Sequence, residues 1–191
     1  MVTVGGENAE APGELGTVGV PSQLQRLWVP HRMAYVADHK QADHTDCPFC
    51  AAPEHDDESS LVVHRGKTAY VLLNLFPYNS GHMLVCPYRH FASYEDATPE
   101  EVAEIGELTQ AGMRAARQAL NCAGFNLGMN QGEIAGAGVA AHLHQHIVPR
   151  WASDSNFFPI IAQTKAMPQL LGEVRDLIAA AWADPPDTHV A

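Results

Sequence analysis

The segment AHLHQHIVPRW (141–151) places His142, His144 and His146 on every second residue. In an extended chain alternate side chains share a face, so the three imidazoles point one way. Leu143 and Ile147 then point the other way, toward a core, with Gln145 as the polar member of that set. A helix would scatter the histidines around its circumference, and Pro149 argues against one because it lacks the N–H that a helix uses. The segment predicts a strand with chemistry on one face and packing on the other.

The surrounding chain has 191 residues, 46% of them hydrophobic, which suits one domain with a sizeable core. A formal charge of −11 speaks against a general binder of nucleic-acid backbone, which usually shows a basic face. An anionic small molecule remains compatible if its site is locally positive. Much of the acidity lies in surface runs such as EHDDE (54–58). No apolar run approaches the ~20 residues that span a bilayer. The first residues, MVTVGGENAEAPGELG, lack the basic start and apolar stretch of a signal peptide. The expectation is a cytoplasmic protein without membrane or nucleic-acid partners, its four cysteines serving as thiols or metal ligands rather than disulfides.

Residues 1–21, rich in Gly, Ala and Glu, read as a disordered tail, 22–183 as a single domain and 184–191 as a frayed end. SQLQRLWVPHRMAYV (22–36) reads as a short amphipathic helix broken near Pro30. The polar stretch 37–60, with CPFC embedded in it, reads as a loop held by something other than a core. LVVHRGKTAYVLLNL (61–75) predicts two strands joined at Arg65-Gly66-Lys67, and HMLVCP (82–87) a third, entered by the turn PYNSG. Thr98 and Glu101 form a capping box for a long helix whose apolar stripe includes Val102, Ile105, Leu108, Met113, Ala116 and Leu120. GFNLGMNQG (124–132) predicts a further strand and MPQLLGEVRDLIAAAW (167–182) a closing helix. Strands in runs, separated by one long helix, indicate an α+β fold with an antiparallel sheet of about five strands.

Four readings of the histidine run compete. The histidines are ordinary packed residues; they share one metal; they divide distinct chemical tasks; or they only hold a nucleotide's phosphate. At ~3.3 Å per residue the outer two lie ~13 Å apart, too far for one zinc with bonds of about 2.0–2.1 Å. Divided tasks fit better, because neutral imidazole, with a pKa of about 6.5, is a competent nucleophile near neutral pH. NQGEIAGAG (130–138), with glycines at 132, 136 and 138, can bring backbone N–H groups close to an anion. GAGVAA superficially fits a dinucleotide fingerprint, but a strand rather than a helix follows it, so that reading fails.

His142-Leu143-His144-Gln145-His146-Ile147-Val148 resembles the signature of the histidine triad (HIT) superfamily of nucleotide hydrolases and transferases. NLFPYNSGHMLVCPYRH (74–90) resembles the family's upstream strand-turn-strand, and the likeness extends over roughly 22–182. GFNLGMNQGEIAGAGVAAHLHQHIVPRW resembles the branch associated with diadenosine tetraphosphate phosphorylase or adenylyltransferase activity. The resemblance implies a HIT-like fold and cleavage of dinucleoside polyphosphates through a covalent nucleotidyl-histidine. It makes His144 the nucleophile, with His146 and His82 flanking the transferred phosphate. It further implies Asn74 at the ribose, Leu72 and Leu84 about the base, and Asn130 or Gln131 as the phosphate-side amide. Gln145 departs from the pattern, which has an apolar residue there. Ala137-Gly138 replaces the glutamine of other branches, so the phosphate is expected to rest on backbone N–H groups. Arg150 and Lys165 are the nearby cations, each equally a solvated surface charge, and Trp151 is either core or close to substrate.

CPFC (47–50) has the spacing of a zinc half-site or a redox pair, and no thioredoxin-like pattern surrounds it. His44 and His55 are local candidates to complete it. In zinc-bearing members of the resembled family, the positions of His90 and His142 complete a structural zinc site with the two cysteines. The resemblance also implies a homodimer, for which the long helix offers an apolar stripe. Two other functions share this scaffold: a nucleoside phosphoramidate hydrolase, and a nucleotide-binding sensor without turnover.

Overall fold

The computed structural model describes residues 47–152, 154 and 168–183. The expected tails, the helix read over 22–36, His44 and Lys165 lie outside these residues. Five strands form one antiparallel sheet: β1 (Val62–Arg65), β2 (Ala69–Leu73), β3 (Met83–Pro87), β4 (Gly124–Gly128) and β5 (Gln145–Arg150). Their order across the sheet is β1-β2-β3-β5-β4. Among the described residues three helices accompany them: α1 (Pro48–Ala51), α2 (Pro99–Leu120) and α3 (Leu171–Ala183). The α+β architecture expected from the sequence is therefore present, with strands and helices close to their expected places.

The sheet has two dissimilar faces. On one, Val63, Val71, Leu73, Met83, Val85 and Ile147 pack with Ile105, Leu108 and Ala116 of α2 and Val174 and Ile178 of α3. On the other, the alternate residues Val62, Tyr70, Leu72, Leu84 and Cys86 pack with Cys47, Phe49 and Ala52. Leu84 pairs directly with His146, so this second face is also the histidine face. A one-residue slip of β5 would exchange Ile147 for a histidine in the main core. Burying such a side chain contributes about 1.5–3 kcal/mol, which holds the register firmly.

Two expectations need correction. The ladder begins at Gln145, so only His146 lies within β5; His142 and His144 precede it. Their segment is tied instead by the Leu143 N–H, which donates to the Phe91 carbonyl at 2.7 Å. Leu143 still enters the main core and the histidines still take the other side, so the alternation survives without the ladder. Gln145 is half-buried and donates through Nε2 to the His146 carbonyl at 3.2 Å, which satisfies its polar end. The stretch read as a coreless loop also has a core: α1 and the 3-10 turn after it bury Phe49 and Ala52. The Tyr70 hydroxyl donates to the Phe49 carbonyl at 2.6 Å, clamping α1 to β2.

The β2–β3 turn delivers His82. Gly81 takes φ +69°, a left-handed conformation favouring glycine, and a Cβ there would collide with Leu120. Asn79 anchors the same turn by donating to the Pro149 carbonyl at 3.0 Å and to Asp154 at 2.8 Å.

The capping box forms as expected. The Glu101 N–H donates to Thr98 Oγ1 at 3.2 Å and the Thr98 N–H donates to Glu101 Oε2 at 2.8 Å. Arg89 adds two bonds to the same carboxylate, at 3.0 and 2.7 Å. This Arg89 pairing holds the Glu101 carboxyl below its ordinary pKa. The sign follows: the stabilisation is complete above the unfolded carboxyl pKa, about 4.3, and disappears as pH falls through the lower folded value. Because Arg89 is half-exposed, Glu101→Gln should cost about 1 kcal/mol at pH 7. Urea unfolding of both proteins from pH 7 down to pH 3 should show that gap closing in acid.

Candidate active site and metal centre

A cavity of about 260 Å³ opens on the histidine face, lined by Phe49, Asn74, Phe76, Tyr78, Leu84 and Asn130 together with Gly136, Gly138, Val139, His144 and His146. His144 is 5% exposed and its Nδ1 lies 2.8 Å from the His142 carbonyl. A carbonyl only accepts, so Nδ1 carries the proton and Nε2 keeps the free lone pair. Burial pushes the His144 pKa down, against a smaller opposing effect of that hydrogen bond, and favours the neutral ring. Phe49 packs against it with ring centroids 5.0 Å apart.

The neighbouring histidines form a chain whose tautomers can also be assigned. The Tyr78 N–H donates to His82 Nδ1 at 3.0 Å, so the His82 proton sits on Nε2. That nitrogen lies 2.9 Å from His146 Nδ1 and donates to it, which leaves the His146 proton on Nε2. The Asn130 carboxamide stands 3.4 Å from this last nitrogen. The Tyr78 ring covers both imidazoles, with centroids 4.7 Å from His82 and 5.7 Å from His146. Asn74 approaches His82 Nδ1 at 3.4 Å and accepts the Phe76 N–H at 3.0 Å.

Several sequence-derived positions fall elsewhere. Leu72 is buried beside Leu84 in the second apolar cluster but does not line the cavity. The Gln131 carboxamide accepts the Tyr94 N–H at 2.7 Å, whereas Asn130 reaches the site. The glycine-rich stretch is less open than a free nest. Residues Glu133–Ala135 form a 3-10 turn, Gly136 closes it at φ +83°, and the Gly136 and Ala137 N–H groups bond to the carbonyls of Glu133 and Gly132. Ala137 is buried and absent from the cavity wall, while Gly138 lines it. Among the described residues the Gly138 and Val139 N–H groups have no protein acceptor, so backbone donors toward an anion begin there.

Arg150 is occupied by Asp154, at 2.6 and 2.9 Å, and by Asn126 at 2.7 Å, so it behaves as a surface ion pair. The Trp151 indole donates to the Leu120 carbonyl at 3.2 Å and packs against the main core. Sequence reasoning missed Phe49, Phe76, Tyr78 and Val139. Phe49 sits inside CPFC between the two cysteines, Phe76 immediately precedes the PYNSG turn and Tyr78 lies within it.

Beside the cavity, Cys47, Cys50, His90 and His142 bring one ligand atom each within 4.8 Å of one another. Cys47 Sγ is 3.3 Å from His142 Nδ1, and Cys50 Sγ is 3.2 Å from His90 Nδ1 and 3.5 Å from His142 Nδ1. Tetrahedral zinc with two thiolates and two imidazoles sets its ligands roughly 3.3–3.8 Å apart, so these three sulfur–nitrogen spacings and the donor set suit a zinc ion. His142 Nε2 lies 2.9 Å from the Pro87 carbonyl and donates to it, which frees Nδ1 for a metal. His55 is not part of this group.

A HIT-domain family model matches residues 56–152. An AP-4-A phosphorylase of Mycobacterium tuberculosis is 46% identical over 175 residues, covering 88% of this chain and 90% of the relative. An asymmetrical bis(5'-nucleosyl)-tetraphosphatase of Schizosaccharomyces pombe is 32% identical over 95 residues, covering 50% of this chain and 52% of the relative. Among solved structures, a zinc-bound histidine triad family protein from Mycobacterium smegmatis superposes with a TM-score of 0.58 at 27% identity, covering 74% of this chain and 96% of that one. With the histidine segment, the sheet order and these likenesses in agreement, the chain belongs to the HIT family.

Proposed function

We propose that this protein cleaves dinucleoside polyphosphates of the diadenosine tetraphosphate kind through a covalent nucleotidyl-His144 intermediate. The observation that carries the reading is the His144 tautomer, with Nδ1–H on the His142 carbonyl and a free Nε2 on a ring lining the cavity. The 46% identical relative named for AP-4-A phosphorylase supports the substrate class.

In the first step the Nε2 lone pair attacks the α-phosphorus. An N–P bond forms, the bridging P–O bond breaks, and the remaining polyphosphate leaves with its electron pair. The ring becomes cationic, and the His142 carbonyl stabilises it through Nδ1–H. His146, protonated on Nε2, and the N–H groups of Gly138 and Val139 offer donors to the phosphate oxygens. In the second step water or inorganic phosphate attacks the same phosphorus and the N–P bond breaks, restoring neutral His144. Asn74 serves the ribose, and Leu84 with Phe49 forms the apolar wall for the base.

Zinc held by Cys47, Cys50, His90 and His142 supplies a structural crosslink. These residues fix the His142 backbone, and through it the nucleophile. The four free cysteines suit a reducing compartment, and we place the enzyme in the cytoplasm. No helix among the described residues is long and apolar enough to cross a membrane. We further infer a homodimer. The face of α2 that meets the sheet and α3 is already used within the chain, whereas β4 is an edge strand with Asn126, Leu127 and Gly128 exposed.

Three outcomes are expected. His144→Ala should lower turnover of diadenosine tetraphosphate about a thousandfold or more while leaving nucleotide affinity within a few-fold. Wild-type enzyme quenched during turnover of labelled substrate should carry an acid-labile adduct that the variant lacks; normal cleavage by the variant would refute the covalent route. Product analysis with and without phosphate identifies the second nucleophile. Protein purified without chelator should hold about one zinc per chain by elemental analysis, and Cys50→Ser should lose it together with thermal stability. Light scattering should give twice the 20.7 kDa chain mass, and a monomer at micromolar concentration would contradict the dimer.

A further inference from the structure

The cavity holds about 260 Å³, below the range of about 300–1,000 Å³ that encloses a drug-sized ligand. That is room for one nucleoside and its reacting phosphate, yet a dinucleoside polyphosphate carries two nucleosides. The second must lie outside the enclosed part. Phe76 both lines the cavity and leaves 64% of its surface exposed, so it stands at the opening. Its backbone is held in place: its N–H donates to Asn74 Oδ1 at 3.0 Å, and Pro77 follows with a fixed φ. Leu75 is 62% exposed next to Phe76, and Ile134 is fully exposed on the β4–β5 connection whose Gly136 and Gly138 line the cavity.

An exposed aromatic ring on a tethered backbone, at the mouth of a nucleotide-sized cavity, is a stacking platform for a base, because every base offers a π-face. We propose that Phe76 forms a second nucleoside subsite, stacking on the base of the departing half of the substrate. This rests on the catalytic reading above. The subsite prefers a polyphosphate capped by a nucleoside at both ends over one capped at a single end. It takes no part in the bond changes at phosphorus.

The test compares diadenosine tetraphosphate with adenosine 5'-tetraphosphate, which keeps the phosphate chain and lacks the second nucleoside. Phe76→Ala should lower kcat/KM for diadenosine tetraphosphate about tenfold more than that for adenosine 5'-tetraphosphate, mainly through KM. Phe76→Trp should restore the preference. Because the side chain is largely exposed, the thermal unfolding midpoint should stay close to wild type. Equal losses on both substrates would overturn the subsite and give Phe76 a role in the inner pocket. No loss on either would also overturn it, leaving the apolar opening to a macromolecular partner. If wild-type enzyme cleaved neither compound, the catalytic reading itself would fall and the subsite with it.

Discussion

The His142 residue unit carries more of this molecule than any other. Its imidazole donates from Nε2 to the Pro87 carbonyl and turns Nδ1 toward Cys47 and Cys50. Its carbonyl accepts the Nδ1 proton of His144 and thereby exposes the lone pair that can attack phosphorus. One residue so joins the end of β3, the cysteine turn and His144, the proposed nucleophile. The Cys2His2 cluster and the cavity lined by His144 are therefore two sides of one short segment. A histidine that faced away from Pro87 would lose both the ligand and the geometry of its neighbour.

This arrangement also explains why a short cysteine turn belongs to a nucleotide site. Phe49 lies between the two cysteines, buries itself against β2 and β3, and meets the His144 ring. Tyr70 secures its carbonyl from the sheet side. The turn covers one end of the histidine face, and the uncovered remainder is the cavity. Contacts that fix the turn therefore fix a wall of the pocket as well as the backbone leading to His144.

The cavity is mainly apolar, and the polar groups that line it carry no fixed charge. Among the described residues neither lysine nor arginine lines it, and Arg150 is committed to Asp154. In the proposed mechanism neutral donors take the place of charge: Gly138 and Val139 N–H, the Asn130 carboxamide and the Nε2 proton of His146. In a site where water is scarce such dipoles stabilise developing charge well, because they need not reorganise during reaction. The chain's net charge of −11 is then no obstacle to binding a polyphosphate at this point.

The periodicity of residues 142–147 determined on its own that histidines and core residues take opposite faces. That outcome depends only on backbone geometry and burial, and it persists although the ladder starts at Gln145. The capping box, the strands and both long helices were legible for the same reason, since their signals are local. CPFC announced a half-site, but its completion by His90 and His142 was expected only by resemblance to a known family. Closing it requires residues 40 and 92 positions from Cys50 to meet, which spacing cannot express. Choosing Asn130 over Gln131, removing Leu72 from the cavity wall and adding Phe49, Phe76 and Tyr78 all waited for tertiary structure. Each depends on which side of a turn a side chain leaves and what already occupies that side, and neither is encoded within a few neighbouring residues.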